Sequence, residues 1–168
     1  MGIRWMIRRD MPMVLDIEQQ CHEFPWTEED FMNVLRERNC IGVVAEETEV
    51  LPDGKTVDKV IGFVIYDLRP DMLFLTNIAV HPKHQCQGVG TKMIDHLKHK
   101  LNVQRRVALG TLSKETNLPA QLFFKKNGFK CIGIEKQAWN HEDAYEFRFS
   151  IIEPKYTNRI SDIFKEIM

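Results

Sequence analysis

The chain has 168 residues, 43% hydrophobic and 28% charged, which is typical of one globular domain that needs no disulfide or metal for its core. Lysine and arginine total 23 against 24 acidic residues, so there is no basic excess to indicate nucleic-acid binding. Four separated cysteines predict reduced thiols, a cytoplasmic location and no structural zinc. The longest apolar run is too short for a membrane span, and the first residues predict no secretory signal.

The first predicted element is a short strand, because Ile3, Trp5 and Ile7 alternate with the residues between them. Asp10 is then predicted to cap a helix, since aspartate is a preferred N-cap residue and Pro12 is tolerated in a first helical turn. The chain therefore enters the fold as a strand followed directly by a helix.

Thr27 is predicted to begin a second helix, with Asp30 three residues later forming an imperfect capping box. Residues 41–45 and 60–68 read as strands of a hairpin, and the segment between them contains the turn residues Pro52, Asp53 and Gly54. The later elements predicted from periodicity are strands 72–80, 107–112, 129–134 and 143–151, helices 88–101 and 119–127, and a left-handed helix end at Gly128.

The predicted order is β-α-α-β-β-β-α-β-α-β-β, which indicates a mixed sheet with helices packed on it. Residues 1–152 are predicted to form one domain. Residues 153–168 are predicted to form a helical tail that is not a separate domain, because Pro154 breaks the final strand. Its apolar residues recur at helical spacing, which suits either a helix closing the core or a docking or dimerisation helix; they are Ile160, Ile163, Phe164 and Ile167.

The segment that carries chemistry runs from Asn77 to Thr91, where an apolar strand leads into a polar turn and two glycines open a helix. The first turn of a helix has unpaired N–H groups and a partial positive charge, so it binds anions without a basic side chain. Gly88 and Gly90 allow positive φ and let a phosphate approach the backbone. Pyrophosphate is the predicted ligand.

The sequence lacks two known glycine-rich patterns for nucleotide binding. The P-loop pattern G-x-x-x-x-G-K-[ST] does not occur in the sequence. The dinucleotide pattern G-x-G-x-x-G would need a third glycine at the position of Met93. The loop therefore belongs to a different class of pyrophosphate site.

Gln85, Gly88 and Gly90 form the pattern Q-x-x-G-x-G, placed between an apolar strand and an amphipathic helix. In this the chain resembles the GCN5-related N-acetyltransferase (GNAT) superfamily, and within it the ribosomal-protein-alanine N-acetyltransferase (RimI-like) branch. The resemblance covers roughly residues 3 to 152. It extends to Glu18 with Phe24–Thr27 and Phe31, to Asn117 with Phe123–Phe129, and to His141–Ala144.

The resemblance implies an α+β fold with a mixed, mostly antiparallel sheet of about seven strands and about four helices. It implies transfer of acetyl from acetyl-CoA, without a metal, by direct attack of an amine in a ternary complex. The oxyanion would need a backbone donor such as the Val80 N–H. The implied cofactor-binding residues are Ile78, Ala79, Val80, Gln85, Cys86, Gln87, Gly88, Val89, Gly90, Thr91, Asn117 and Phe124.

The sequence departs from this branch at both proton-transfer positions. Leu112 stands where the branch has a glutamate base, and Phe124 stands where it has a tyrosine acid. Neither side chain can exchange a proton. An α-amine, with an ordinary pKa of about 7.7–8.0, needs a base far less than a lysine amine at about 10.4. Weak candidates for relocated groups are Glu142, Asp143, Tyr145 and Ser113.

These features predict an acetyltransferase acting on a protein N-terminal α-amine. The alternatives are a small-molecule amine as acceptor and a non-catalytic acyl-CoA-binding module. The chain is expected to be a monomer or homodimer with no nucleic-acid or membrane partner.

The histidine pairs are expected to face solvent and Cys86 to have no nucleophilic role. For Phe24 and Trp26 two interpretations stay open: they line an acceptor groove, or they form a corner of the core. The lysines are more readily a solvated helix face than a site for the 3′-phosphate of the cofactor. These histidines are His81, His84, His96 and His99, and the lysines are Lys92, Lys125 and Lys126.

Overall fold

The structure is a computed structural model that describes residues 1–139 and 141–152. Its strands and α-helices follow the predicted order, with a 3-10 turn before α1 and another before α3. The elements are β1 Gly2–Trp5, α1 Met11–Cys21, α2 Glu28–Arg36, β2 Cys40–Val50, β3 Thr56–Leu68, β4 Met72–Val80, α3 Val89–Lys98, β5 Ala108–Lys114, α4 Leu118–Lys126, β6 Lys130–Trp139 and β7 Glu142–Ser150.

One seven-stranded sheet has the strand order β1-β2-β3-β4-β5-β7-β6. Neighbouring strands are antiparallel except β4 and β5, which are parallel and joined through α3. This confirms the predicted α+β class. A parallel pair needs a crossover connection, and α3 supplies it.

Helices cover the two faces of the sheet differently. On one side, α1 and α2 pack on β2, β3 and β4 through residues that include Val14, Phe31 and Phe63. On the other side, α3 and α4 cover a larger core that reaches β5 and β7 and includes Met93 and Phe147. We call these sides the α1/α2 face and the α3/α4 face.

The strands β4 and β5 pair only over their first residues. Their parallel register runs from Met72 opposite Ala108 to Leu75 opposite Thr111. Beyond this point, in the described residues, β4 continues with β3 alone and β5 continues with β7 alone. A register shift leaves Thr76 unpaired just where the strands part, and a bulge of this kind bends a strand. We call the opening the split.

Local signals in the sequence account for two helix ends. Thr27 Oγ1 accepts from the Asp30 N–H at 3.2 Å and Asp30 Oδ2 accepts from the Thr27 N–H at 2.8 Å, which confirms the capping box. Gly128 has φ +83° and ends α4 in the left-handed conformation, as predicted.

Asp10 is the N-cap residue of α1, as predicted, but its side chain makes no capping hydrogen bond. Its carboxylate accepts from the Ile7 N–H at 2.9 Å and pairs with Arg4 at 2.7 Å. The reason is an additional 3-10 turn, Arg8–Asp10, that precedes the helix and points this side chain backwards. The carboxylate therefore closes the turn and joins it to β1.

The hairpin formed by β2 and β3 is longer than the predicted strands 41–45 and 60–68. Pairing continues to Val50 opposite Thr56. The outer residues are exposed and polar, and one cross-strand bond joins Thr48 Oγ1 to Asp58 Oδ1 at 2.9 Å. Because this arm buries neither face, it lacks the apolar alternation that would have predicted it.

In the described residues, no helix is both long and apolar enough to cross a membrane. The predicted apolar stripe of the tail falls outside the residues that the structure describes. The division into a domain at residues 1–152 and a tail stays a prediction.

Candidate functional site

The turn before α3 has the backbone of an anion site. Gly88 has φ +84° and Cys86 has φ +60°, so two left-handed residues curl the chain into the helix start. The Lys92 N–H bonds the Gly88 carbonyl at 3.0 Å, which leaves the earlier N–H groups of the first turn unpaired within the helix. A Cβ added at Gly88 would meet nothing within 4 Å. An open helix start with unpaired N–H groups is the kind of backbone that binds anions.

The glutamines of the turn bond to the protein's own backbone. Gln85 Nε2 donates to the Val80 carbonyl at 2.9 Å, and Gln87 Nε2 donates to the Lys83 carbonyl at 2.8 Å. The Cys21 thiol at the end of α1 also donates to the Val80 carbonyl, at 3.2 Å. Burial, together with the charge of Glu18, raises the pKa of this thiol. These bonds tie the turn to β4 and α1.

Gly90 has a different reason to be glycine from the one the sequence suggested. It does not have a positive φ. A Cβ there would lie 2.9 Å from Cε2 of Phe123 on α4. The glycine therefore lets α3 and α4 approach each other, and only Gly88 supplies the left-handed turn.

The end of β4 directs backbone groups into the split. The His81 N–H bonds the Ile61 carbonyl at 2.9 Å, so these two residues form a hydrogen-bonded pair of the antiparallel ladder. Because such pairs alternate with pairs that bond outwards, Ile78 and Val80 point their N–H and C=O groups away from β3. The Val80 carbonyl is engaged by Gln85, whereas its N–H faces the split.

Two residues predicted to bind the cofactor also have roles in stabilising the fold. Asn117 caps α4, with its Oδ1 accepting from the Ala120 N–H at 3.1 Å. Phe124 is only 3% exposed and packs on Phe129 and Phe147 in the core. The position that lacks a tyrosine is thus a core position in this chain.

Among the described residues, α1 and α2 pack mainly on β2, β3 and β4, so these helices do not cover the same side of β5, β7 and β6. We call the surface of these three strands on that side the open half-face. Lys114, the last residue of β5, lies at one edge of this surface. Its Nζ is 3.3 Å from Glu142, 3.9 Å from Glu23 and 5.0 Å from the ring centre of Phe24. This lysine links β5 to the loop between α1 and α2.

The four candidate proton-transfer residues do not converge on one point. Ser113 and Tyr145 lie directly opposite each other, on the α3/α4 face. Ser113 Oγ is buried and has no hydrogen-bond partner among the described residues. Glu142 lies on the other face, next to Lys114. Asp143 accepts from the Gln137 N–H at 2.9 Å.

A buried polar group behind β4 went unnoticed in the sequence. Glu18 on α1 is 1% exposed, and its carboxylate accepts from the Trp26 N–H at 2.9 Å and from Asn77 Nδ2 at 3.0 Å. His22 Nε2 lies 3.4 Å from the same carboxylate. A carboxylate can only accept, so Asn77 must turn its nitrogen to Glu18. Its Oδ1 is buried without a partner among the described residues. The available signals were that Glu18 shares the helical spacing of Val14 and Cys21 on α1 and that Asn77 lies in a largely apolar part of β4.

The structure separates the two aromatic candidates near α2. Trp26 packs edge-on against Phe31 with ring centres 5.2 Å apart, so it is a core corner. Phe24 is 64% exposed and borders the open half-face. In the part of the chain that the structure describes, no group of three His, Cys, Asp or Glu residues is arranged to hold a metal ion.

Comparisons with known proteins agree on one family. A model of the Acetyltransferase (GNAT) family matches residues 11–129. The chain is 30% identical over 139 residues to a [ribosomal protein bS18]-alanine N-acetyltransferase of Salmonella typhimurium, covering 80% of this chain and 87% of the relative. The enzyme of that name from Escherichia coli K12 is 28% identical over 137 residues, covering 82% and 86%.

Solved structures share the fold. The crystal structure of the ribosomal-protein-S18-alanine N-acetyltransferase from Escherichia coli superposes with a TM-score of 0.73 at 24% identity, covering 93% of this chain and 97% of that one. Arabidopsis thaliana NAA60 in complex with a bisubstrate analogue gives a TM-score of 0.73 at 19% identity, covering 89% and 97%.

Proposed function

The chain belongs to the GNAT acetyltransferase family, and from that premise we propose that it acetylates the N-terminal α-amine of a protein. The family relationship establishes an N-acetyltransferase that uses acetyl-CoA as co-substrate. The relatives carry names that specify an alanine of a ribosomal protein as acceptor. An N-terminal amine is the acceptor class that these names favour for this chain.

The backbone of the α3 turn and the edge of β4 support the binding of acetyl-CoA. In this proposal the amides from Cys86 to Thr91 hold the pyrophosphate, while Ile78, Ala79 and Val80 accompany the pantetheine arm as an added strand would. Asn117 contacts the cofactor near its thiol. The single observation that carries this assignment is the split, because among the described residues it leaves the Ile78 backbone groups and the Val80 N–H without a strand partner, beside the unpaired N–H groups of the turn.

The chemistry is direct attack of the amine on the thioester in a ternary complex. The Val80 N–H is the proposed donor to the oxyanion, since it faces the split. Ser113 and Tyr145, opposite each other on the α3/α4 face, are the proposed source of a proton for the leaving thiolate. Glu142 and Asp143 are weaker candidates, because Lys114 and the Gln137 N–H already engage their carboxylates.

Thiol release from acetyl-CoA tests the proposal. The full chain is assayed with a panel of peptides that differ in their first residues, with the same peptides N-terminally blocked, and with a panel of polyamines and amino sugars. We expect release only with free peptide N-termini. Release with small amines alone would contradict the acceptor. Thermal stabilisation by acetyl-CoA without any release would instead indicate a non-catalytic binding module.

The location and assembly of the enzyme stay predictions. A cytoplasmic enzyme would meet newly made protein N-termini, which agrees with the four free cysteines. The predicted assembly is either a monomer or a homodimer, and analytical ultracentrifugation of the full chain distinguishes the two.

A further inference from the structure

We infer that Glu146 accepts the proton that the acceptor ammonium loses before it attacks the thioester. The inference rests on the proposed function. An α-ammonium carries a proton that must leave before its nitrogen lone pair can attack. A carboxylate or imidazole can take this proton if it lies on the side of the split from which an amine can approach.

The strand register places Glu146 beside the split. Leu112 lies on β5 one residue beyond Thr111, where β4 and β5 part, and Glu146 is its direct partner on β7. Directly opposed residues of an antiparallel pair share one face, with Cβ atoms about 5 Å apart. Lys114, two residues along β5, contacts the α1–α2 loop, so this face is the α1/α2 face. Glu146 thus belongs to the open half-face.

The other charged groups of the open half-face are poorer proton acceptors. Lys114 and Arg148 are cations, which donate rather than accept. Glu142 lies four residues from Glu146 along β7, about 13 Å in an extended strand, and Lys114 engages it at 3.3 Å. Glu18 lies on α1 behind β4, where its carboxylate is 1% exposed and accepts two hydrogen bonds.

The surroundings of Glu146 leave its carboxylate room to move. Its neighbour on β6 is Gly133, and a Cβ added there would lie 3.6 Å from Glu146 Oε2. Arg148 Nη2 donates to Oε1 at 3.0 Å, and Oε2 has no hydrogen-bond partner among the described residues. The side chain is 34% exposed. One oxygen is therefore held by a cation while the other can receive a proton directly or through one water.

The proton balance of the step is simple. The ammonium gives one proton to Glu146, and the neutral amine then forms the C–N bond at the thioester carbon. The C–S bond breaks and the departing sulfur takes a proton from the Ser113–Tyr145 pair. The second proton of the nitrogen is lost to solvent, and solvent returns one to that pair, so that amide and free thiol are formed. Glu146 returns its proton to solvent. No oxidant, metal or further reactant is needed.

The pH dependence of kcat/KM for an N-terminal peptide tests the inference. At pH 7 we expect Glu146→Gln to lower kcat about 100-fold, the lower end of the usual effect of a general base. The KM for acetyl-CoA and the melting temperature should stay unchanged. The deficit should shrink above about pH 8, where the α-amine loses its proton without help. Glu135→Gln makes the same change at an exposed position of the neighbouring strand β6, opposite Ala144 and on the same face; it is the matched control and should keep the wild-type profile.

Two further variants separate chemistry from structure. Glu146→Asp keeps a carboxylate and should retain part of the wild-type pH profile. The double variant Leu112→Glu with Glu146→Gln moves the carboxylate one strand nearer the split and should recover activity. A Glu146→Gln enzyme with the wild-type rate and profile would overturn the inference and leave the proposed function intact. Wild-type enzyme inert towards every free N-terminus would overturn both.

Discussion

Gln85 Nε2 lies 2.9 Å from the carbonyl oxygen of Val80, so the first residue of the Q-x-x-G-x-G pattern bonds to the end of β4. The Cys21 thiol reaches the same oxygen from α1. With that carbonyl engaged, the outward-facing backbone of β4 keeps the Val80 N–H and the Ile78 groups for a ligand. The glutamine therefore shapes the binding turn through the protein backbone.

Replacing Gln85 by alanine should weaken acetyl-CoA binding more than it slows catalysis. One hydrogen bond contributes about 1 kcal/mol, so we expect the KM for acetyl-CoA to rise roughly fivefold with little change in kcat. Steady-state kinetics and calorimetry with coenzyme A measure this. The matched control is Gln20→Ala, which removes an exposed amide whose hydrogen bond goes to Asp16 on the same helix. This variant should have no effect on the KM for acetyl-CoA. An unchanged KM in the Gln85 variant would contradict the prediction.

The two glycines of the turn should respond differently to alanine. Gly90→Ala forces a Cβ against Phe123 and should lower the free energy of unfolding by about 1–3 kcal/mol, the usual cost of overpacking. Gly88→Ala has open space but a left-handed φ, which costs about 1–2 kcal/mol. Urea denaturation measures both.

A second substitution distinguishes sterics from strain in these variants. Phe123→Leu replaces the ring that clashes with the Cβ of Gly90→Ala by a shorter side chain. In the Gly90→Ala variant it should therefore recover part of the lost free energy of unfolding. It should leave the cost of Gly88→Ala unchanged, because nothing lies within 4 Å of that position. Equal recovery in both backgrounds would contradict the assigned roles.

The order of elements was predictable because its signals are local. The Thr27–Asp30 box and Gly128 each act within one turn of chain, and period-2 or period-3.6 patterns mark the buried elements. The bonding of the Asp10 side chain was mispredicted for a local reason too, since the 3-10 turn before α1 directs its carboxylate back to the Ile7 N–H.

The candidate site was predictable only in part, because its geometry depends on contacts between distant segments. Glu142 and Glu146 alternate identically along β7, and only the pairing with β5 shows which one lies opposite Leu112. The role of Gly90 requires the position of Phe123 on another helix. The partner of Glu18 is Asn77, 59 residues away.

Glu18→Gln should destabilise the protein and loosen the loop that leads to α2. Glutamine presents one oxygen and one NH2 group where two donors now meet a carboxylate, so one donor loses its partner. We expect a loss of about 1–3 kcal/mol in the free energy of unfolding. Faster hydrogen exchange of the Trp26 amide, measured by NMR, should accompany it. Gln19→Glu or Gln20→Glu, exposed on the same helix, serve as controls that should not change that exchange.

Asn77→Asp probes the same pair from β4. This change places two carboxylates next to each other in a buried position, and their repulsion should destabilise the protein more than Glu18→Gln does. Combining it with Glu18→Gln restores a donor–acceptor pair and should recover part of the loss. Strictly additive losses in the double variant would show that the two side chains do not interact.

The Arg4–Asp10 pair should make stability depend on acid pH. Burial raises the pKa of Asp10, but hydrogen bonds from the Arg4 guanidinium and the Ile7 N–H, with the nearby arginine charges, outweigh it, so the pKa lies below its ordinary value. A carboxyl whose pKa is lowered by folding stabilises the protein above the unfolded pKa of about 3.9. That contribution is lost as the pH falls through the folded pKa.

Arg4→Met exposes this dependence, because it leaves a buried carboxylate that is 1% exposed without its cation. We expect a loss of about 3–5 kcal/mol near pH 7, as for other broken buried pairs. In the variant the effect of burial is no longer outweighed by Arg4, so Asp10 takes up its proton at a higher pH than in wild type. From about pH 8 to about pH 3 the difference from wild type should therefore shrink as the pH falls, beginning above the ordinary aspartate pKa of about 3.9. Urea denaturation across this range measures it, with Arg8→Met at an exposed position as control. A difference independent of pH would mean that the arginine stabilises β1 by packing rather than by its charge.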